Sequence, residues 1–187
     1  MKVSKESVTK AVNVLKRGGI VIFPTDTVYG FLADASDEKA VEKIFKIKNR
    51  PKKKPLSLFV KDIKMAKGLA LVDDFSNKFL KRFWPGKYTF VLKRSKIKLY
   101  GLHKDSVGLR VPKYKPLNDL INKINRPLVQ TSVNISGNEP LNNIKEILKE
   151  FGNDKRVSLI VNAGNLKKPK PSKVIDLSKN KANIIRK

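Results

Sequence analysis

The sequence predicts a single α/β domain built on a twisted sheet. Segments with helical hydrophobic spacing alternate from end to end with short runs rich in β-branched and aromatic residues. No repeat, low-complexity linker or clear boundary divides the chain, and its 187 residues fit one domain. Hydrophobic residues make up 40% of the chain, which is enough to build a core. We therefore expect one domain over residues 1–187, with its core in residues 8–187.

The helices are predicted from apolar residues that recur every three or four positions. In the first helix, Val8, Val12 and Leu15 form such a stripe, and the pair Gly18-Gly19 ends it. Asp37 is a suitable cap for the second helix. The predicted helices cover residues 8–17, 37–48, 63–84, 117–124 and 144–151.

The strands are predicted from short β-branched and aromatic runs that end at turn residues. Residues 20–23 (IVIF) are such a run, and Pro24 ends it. The basic, proline-containing segment 167–173 predicts a mobile loop. The predicted strands cover residues 20–23, 56–60, 88–92, 107–111, 128–132, 158–162, 174–177 and 183–186.

The chain is strongly basic, with 42 Lys and Arg residues against 16 Asp and Glu residues and a formal net charge of +26. A field of this size attracts polyanions. Three interpretations stay open: a lysine-biased proteome, a nucleic-acid-binding surface, and a site for a small anionic substrate. The lysines are spread along the whole chain, which favours a generally basic surface over a discrete binding arm.

Composition excludes several classes of chemistry. The chain has no Cys, which excludes disulfides, thiolate catalysis and Cys-based zinc sites. His103 is the only histidine and lies in a loop-like stretch typical of a surface residue. We therefore expect no metal site formed by the protein alone and no prosthetic group. No apolar run approaches the ~18–20 residues of a membrane span, and residues 1–16 lack the apolar region of a signal peptide. We expect a cytoplasmic protein without a membrane partner.

Polar groups near predicted strand ends are candidates for an anion-binding site, because open α/β sheets bind ligands there. Lys48 and Arg50, followed by three lysines at 52–54, could converge on a polyphosphate or form a solvated charge run. Ser132 and Asn134 lie two residues apart and point the same way on an extended strand. They could bind ribose or phosphate oxygens, or belong to a turn.

Two further candidates are the segment 24–30 and Arg110. The segment 24–30 (PTDTVYG) has two threonines and an aspartate directly after a predicted strand, and a capped turn would also explain these residues. Arg110 lies among apolar strand residues, so its burial requires a partner. A substrate carboxylate or an internal Asp or Glu would serve. Neither a Walker A nor a G-x-G-x-x-G pattern is present, so these residues predict an anion site but no reaction.

Taken together, the motifs resemble those of the YrdC/Sua5 family. The resemblance covers residues 8–187, and the motifs follow one another in the family's order. One such motif is a weak signal, whereas a series in order is a strong one. The matching segments are 18–30 (GGIVIFPTDTVYG), 48–51 (KNRP) with 55–56 (PL), 84–89 (WPGKYT), 108–112 (GLRVP), 132–137 (SVNISG), 171–174 (PSKV) and 184–186 (IIR).

The resemblance implies a YrdC-like fold, with a twisted mixed sheet, flanking helices and a basic concave face. It also implies that the protein makes L-threonylcarbamoyl-AMP and pyrophosphate from L-threonine, bicarbonate and ATP, with Mg²⁺ carried by the ATP. A partner transferase would then pass the threonylcarbamoyl group to A37 of tRNA. Carboxylated threonine would attack the α-phosphate, so no covalent nucleophile is needed.

The same resemblance implies two sets of site residues. One set would hold ATP and assist catalysis, and the other would hold threonine. The catalytic residues would be Lys48, Arg50, Ser132 and Asn134, the ATP site would add Lys54, Ser106 and Arg186, and the threonine site would comprise Thr27, Arg110 and Ser172, with Arg110 on the carboxylate.

The chain departs from the family pattern at three positions. Phe59 stands where the longer Sua5 proteins have a His near threonine, Lys87 replaces the second proline of W-P-G-P, and Lys173 replaces the Thr of P-S-T-V. These changes concern the threonine pocket more than the ATP site. Because the chain stops at residue 187, we expect the C-terminal domain of Sua5 to be absent. The family's YciO branch tends to lack the K-x-R/S-x-N set, so its presence favours the synthase.

Two other functions stay open. An RNA-binding module of the same fold, without synthase activity, would recognise tRNA or double-stranded RNA through a basic concave face. The charge supports this function, but RNA binding needs no polar set at strand ends. A carbamoyl-phosphate-linked transferase is also conceivable, because the fold occurs as a domain in hydrogenase-maturation proteins, although the short chain argues against it.

Overall fold

The computed structural model describes residues 3–166, 171–179 and 181–186, and helices and strands alternate along them. The helices in these ranges are α1 (Lys5–Lys16), α2 (Glu38–Ile47), α3 (Ile63–Leu69), α4 (Asp74–Phe83), α5 (Lys115–Ile124) and α6 (Ile144–Phe151). The strands are β1 (Val21–Phe23), β2 (Gly30–Asp34), β3 (Ser57–Phe59), β4 (Tyr88–Lys93), β5 (Ser106–Arg110), β6 (Leu128–Ser132), β7 (Leu159–Ile160), β8 (Lys173–Asp176) and β9 (Asn183–Arg186).

Side-chain caps set where the first four helices begin. Each cap accepts a hydrogen bond from the backbone N–H three residues later, and so satisfies a donor that the first turn leaves unpaired. These caps are Ser4, Asp37, Asp62 and Asp73. The last one divides the segment 63–84, because α3 ends at Leu69 and Asp73 starts a second helix. The predicted helical region 63–84 therefore contains two helices, α3 and α4.

Two other segments differ from the sequence prediction. Strand β2 was not predicted, and all five of its residues are buried, so it lacks the alternation that marks a half-exposed strand. Of the predicted loop 167–173, residues 167–170 lie outside the described residues, while Lys173 begins β8.

The nine strands of the described chain form one mixed sheet in the order β7-β1-β2-β6-β3-β5-β4-β8-β9. The pairs β1–β7, β3–β5 and β4–β8 are parallel, and the remaining neighbours are antiparallel. The α/β class and the mixed sheet that the sequence predicted are confirmed.

Side chains alternate between the two faces of the sheet, and different helices cover the two faces. On β5, Val107 and Leu109 join a core with α2, α3, α4 and α6. The other face packs around Phe59 against α1 and α5. On this second face, Gly108 and Arg110 line a cavity.

Candidate active site

A cavity of about 420 Å³ lies on the second face of the sheet. Its lining side chains in the described chain include three arginines and no carboxylate. The lining divides into three zones, which we name by their residues. They are the Arg50 end (Arg50, Ser106 and Ser132), the neutral middle (Ser57, Gly108 and Gln130) and the Arg110 end (Thr27, Thr89, Arg110, Ser172 and Arg186).

Strand register sets the order of these zones. Ser57 of β3 lies opposite Gly108 of β5 on one side and opposite Gln130 of β6 on the other. On β5, Ser106 precedes Gly108 by two residues and Arg110 follows it by two. Because a strand advances about 3.3 Å per residue, each end lies about 7 Å from the middle row along the strand. The cavity therefore presents cationic, neutral and cationic zones in sequence.

Arg50 reaches the cavity because α2 ends in a reversed turn. Asn49 adopts the left-handed conformation (φ 47°), and the Arg50 N–H donates to the Phe45 carbonyl at 2.9 Å. This pattern is a Schellman cap, which turns the chain sharply after a helix. The Arg50 guanidinium donates to the carbonyls of Lys54 (2.8 Å) and Pro55 (2.9 Å), which hold it at the rim of β3.

Lys48 lies behind the cavity and not in its lining. Its side chain is 1% exposed, and Nζ donates to the Ser132 carbonyl (2.6 Å), the Asn134 carbonyl (2.8 Å) and Asn134 Oδ1 (2.9 Å). Ser132 Oγ also donates to Asn134 Oδ1, at 2.6 Å. Burial, assisted by the charge of Arg50, lowers the pKa of Lys48 to about 7. Lys48 and Asn134 therefore fix the backbone that presents Ser132.

The burial of Lys48 predicts a pH-dependent stability. Its pKa rises from about 7 in the folded protein to its ordinary value of 10.5 when the chain unfolds. Between these values the unfolded chain binds the proton and the folded chain does not, so rising pH stabilises the fold through this group. Lys48→Met removes this effect. From about pH 7.5 to about pH 9.5, the wild type should therefore gain about 2 kcal/mol of unfolding free energy relative to the variant, measured by urea denaturation. An equal pH dependence in both proteins would contradict the assignment.

Arg110 is held by an internal partner. Its Nη2 donates to Asp26 Oδ1 at 2.6 Å, Nη1 to Thr27 Oγ1 at 3.2 Å, and Nε to the Gly86 carbonyl at 2.9 Å. Burial lowers the pKa of Arg110, and the negative charge of Asp26 opposes this effect. Of the two partners that the sequence left open, the structure shows the internal carboxylate. The guanidinium lies over the ring of Phe59, 5.6 Å from its centroid.

Arg186 lies at the Arg110 end, and burial lowers the pKa of its guanidinium. Its Nε donates to the Ser172 carbonyl (3.0 Å) and its Nη2 to Ser172 Oγ (3.1 Å), while Ser172 Oγ also contacts Thr89 Oγ1 at 2.9 Å. Arg186 forms no ion pair with any residue that the structure describes. The structure therefore groups Arg186 with the predicted threonine residues, across the cavity from Arg50.

Comparison with known proteins identifies the family. The family model Sua5_yciO_yrdC, described as "Telomere recombination", matches residues 13–187. The chain belongs to the Sua5/YciO/YrdC family. It is 36% identical, over 99% of its length and 89% of the relative's, to a Methanocaldococcus jannaschii protein named provisionally as a threonylcarbamoyl-AMP synthase. It is 29% identical, over 96% of its length and 87% of the relative's, to YciO of Escherichia coli K12, which is named as uncharacterized.

Solved structures of the Sua5/YciO/YrdC family share the fold of this chain. Pyrococcus abyssi Sua5 in complex with L-threonine has a TM-score of 0.88 at 30% identity, over 100% of this chain and 55% of the Sua5 chain. Escherichia coli YciO has a TM-score of 0.89 at 28% identity, over 98% of this chain and 90% of the YciO chain. The predicted YrdC-like fold is confirmed, and the chain spans about half the length of Sua5.

The cavity brings together most of the site residues that the sequence predicted for this family member. Lys48 and Asn134 lie behind the lining, and the exposed side chain of Lys54 lies outside it. The predicted residues in the lining are Thr27, Arg50, Ser106, Arg110, Ser132, Ser172 and Arg186.

Sequence reasoning missed other residues in the lining. Ser57 and Gln130 are polar side chains inside apolar strands, and that interruption of the apolar pattern was a usable signal. His103 was predicted as a surface residue. It is exposed, yet it lines the cavity, with Nδ1 accepting from the Asp105 N–H at 3.2 Å.

Within the described ranges, no group of three or more His, Cys, Asp or Glu residues could hold a metal ion. No helix in the described part of the chain is long and apolar enough to cross a membrane.

Proposed function

We propose that this chain is an L-threonylcarbamoyladenylate synthase, a nucleotidyltransferase that uses L-threonine, bicarbonate and ATP in the cytoplasm. The observation that carries the proposal is the cavity with a cation at each end and a neutral polar middle. Threonylcarbamoyl-AMP has the matching order of groups, namely a carboxylate, a neutral carbamoyl link and a phosphate. The relative at 36% identity, named provisionally as such a synthase, supports the same reaction.

The proposed threonine site is the Arg110 end. Asp26 already neutralises Arg110, so Arg186 supplies the uncompensated positive charge for the threonine carboxylate. The hydroxyls of Thr27 and Ser172 add neutral hydrogen-bonding groups there. We therefore assign Arg186 to threonine, and Arg110 to holding this end of the cavity together and donating its remaining N–H groups.

The proposed ATP site is the Arg50 end. Arg50 offers a guanidinium fork to the phosphates, and the Ser106 hydroxyl adds a donor without charge. The Ser132 hydroxyl donates to Asn134 Oδ1 in this structure and would turn from it to donate to a phosphate oxygen. Lys48 and Asn134 act from behind by fixing the Ser132 backbone, so their proposed role is positioning. Lys54 contributes its carbonyl to Arg50, and its exposed ammonium adds positive potential outside the cavity.

The proposed chemistry needs no side-chain nucleophile. The threonine amine takes up the carbon of bicarbonate with loss of water and becomes a carbamate. A carbamate oxygen then bonds to the α-phosphorus of ATP, while the bond from that phosphorus to the bridging oxygen breaks and pyrophosphate leaves with the electron pair. Negative charge grows on the phosphate oxygens, where the Arg50 guanidinium and the two serine hydroxyls stabilise it.

ATP enters as its Mg²⁺ complex, and we assign the coordination of that ion to the triphosphate and water. The product is proposed to pass to a threonylcarbamoyl transferase partner for modification of A37 in tRNA. Binding of tRNA or double-stranded RNA is a second candidate function, which the net charge of +26 favours.

The test is pyrophosphate release from ATP by the purified chain, with L-threonine and bicarbonate omitted singly and together. We expect release only when both are present, and L-alanine in place of L-threonine should lower it. A folded, ATP-binding protein that releases no pyrophosphate under any of these conditions would contradict the synthase. If that same protein bound tRNA, the result would support the RNA-binding alternative.

A further inference from the structure

The neutral middle contains a side-chain pair that none of the sequence motifs includes. Gln130 on β6 and Ser57 on β3 are cross-strand neighbours, and Gln130 Nε2 donates a hydrogen bond to Ser57 Oγ. Among the described residues, the second amide hydrogen and Oε1 of Gln130 have no partner, and the side chain lines the cavity. The pair therefore presents one fixed donor and one fixed acceptor to a ligand.

Because Gly108 has no side chain, the cavity is deeper beside this pair. A Cβ added at Gly108 would lie 3.1 Å from Ser57 Cβ and 3.4 Å from Thr89 Cγ2, which is tight contact. The glycine also lies in the same cross-strand row as Ser57 and Gln130. The row thus leaves space over the sheet for a flat group that lies against the Gln130 amide.

The pair lies between the two charged ends of the cavity. Ser106 and Arg110 each lie two residues from Gly108 on β5, about 7 Å along the strand. In the proposed reaction, the group between the threonine carboxylate and the α-phosphate is the carbamate. An extended ligand with its carboxylate at the Arg110 end and its phosphate at the Arg50 end places that group over the middle row.

We propose that Gln130, oriented by Ser57, binds the carbamate of carboxylated threonine and directs its reactive oxygen towards the α-phosphate. This inference rests on the proposed function. Gln130 Nε2 donates to the carbamate oxygen that does not react, and Oε1 accepts from the carbamate N–H. A neutral amide suits this position, because a cation would stabilise the nucleophilic oxygen and a carboxylate would repel it.

The first test is Gln130→Met, which keeps the side-chain length and removes both hydrogen-bonding groups. We expect kcat/KM for bicarbonate to fall about 10- to 100-fold, as for the loss of hydrogen bonds to a charged group. The dissociation constants of ATP and of L-threonine, each measured alone by calorimetry, should stay within about twofold, since the two ends are untouched. Asn122→Leu, an amide-to-alkyl change at an exposed residue of α5 outside this cavity, is the matched control.

A second variant separates orientation from structural support. In Gln130→Glu, the introduced carboxylate repels the carbamate, whereas its protonated form restores a donor. The activity of this variant relative to wild type should therefore rise as the pH falls, and a merely structural role would not produce this trend. Ser57→Ala should lower kcat/KM for bicarbonate by less than Gln130→Met, because the amide remains but is no longer held.

The outcomes distinguish this inference from the proposed function. If the wild type shows no release dependent on bicarbonate and threonine, the proposed function fails and the inference fails with it. If the wild type is active and Gln130→Met keeps its kcat/KM for bicarbonate within about twofold, the inference alone is overturned. Should Gln130→Met fail to fold, a flat pH dependence of the Gln130→Glu to wild-type activity ratio would overturn it instead.

Discussion

Arg50→Gln is expected to lower kcat/KM for ATP about 10²- to 10³-fold, the range for loss of one donor to the charge of a transition state. Arg50 is the arginine of the end of the cavity that we propose for ATP, and glutamine cannot replace its charge or its fork. Pyrophosphate release at saturating L-threonine and bicarbonate measures the effect. Because Arg50 also binds two backbone carbonyls, thermal unfolding should accompany the assay.

The matched control for Arg50→Gln is Lys53→Gln. It removes the same charge three residues away, from an exposed side chain outside the cavity lining. We expect it to change kcat/KM by less than about threefold, as for a screened surface charge. Equal losses in the two variants would show that the general basic field, and not Arg50 itself, carries the effect.

Asp26→Asn is expected to lower the free energy of unfolding by about 3–5 kcal/mol. The side chains of Arg110 and Asp26 are 2% and 7% exposed, so the substitution leaves a buried guanidinium without its counter-charge. Asp26 also accepts a hydrogen bond from the Lys113 N–H at 3.1 Å, which ties the loop after β1 to the segment after β5. Urea denaturation of the two proteins measures the change.

Two further variants test the origin of this loss. Asp119→Asn breaks the exposed pair of Asp119 with Lys115, and we expect a change below about 1 kcal/mol. Adding Arg110→Met to Asp26→Asn removes the unpaired charge, so the double variant should recover part of the stability lost in the single one. A double variant as unstable as Asp26→Asn would contradict the explanation by charge burial.

Much of the fold was predictable because its signals are local. The stripe on α1, the cap at Asp37 and the apolar run of β1 each identify an element without reference to the rest of the chain. Strand β2 carries no such signal, because burial on both faces removes its alternation. The break in the segment 63–84 was readable in principle from Asp73, but the apolar spacing on both sides favours one continuous helix.

The site was less predictable because its contacts join distant parts of the chain. The pair of Asp26 with Arg110 spans 84 residues, so the sequence could state only that Arg110 needs a partner. The row of Ser57, Gly108 and Gln130 depends on strand register, which pairs β3 with both β5 and β6. Motif resemblance supplied the candidate residues, whereas register and burial decided which of them face the cavity.

The most direct test of the synthase is the mass of the nucleotide formed from ATP, L-threonine and carbon-13 bicarbonate. The proposed reaction predicts an adenylate that carries a threonylcarbamoyl group with one labelled carbon, together with one pyrophosphate. Formation of only AMP or ADP, or of an adenylate without the label, would contradict it.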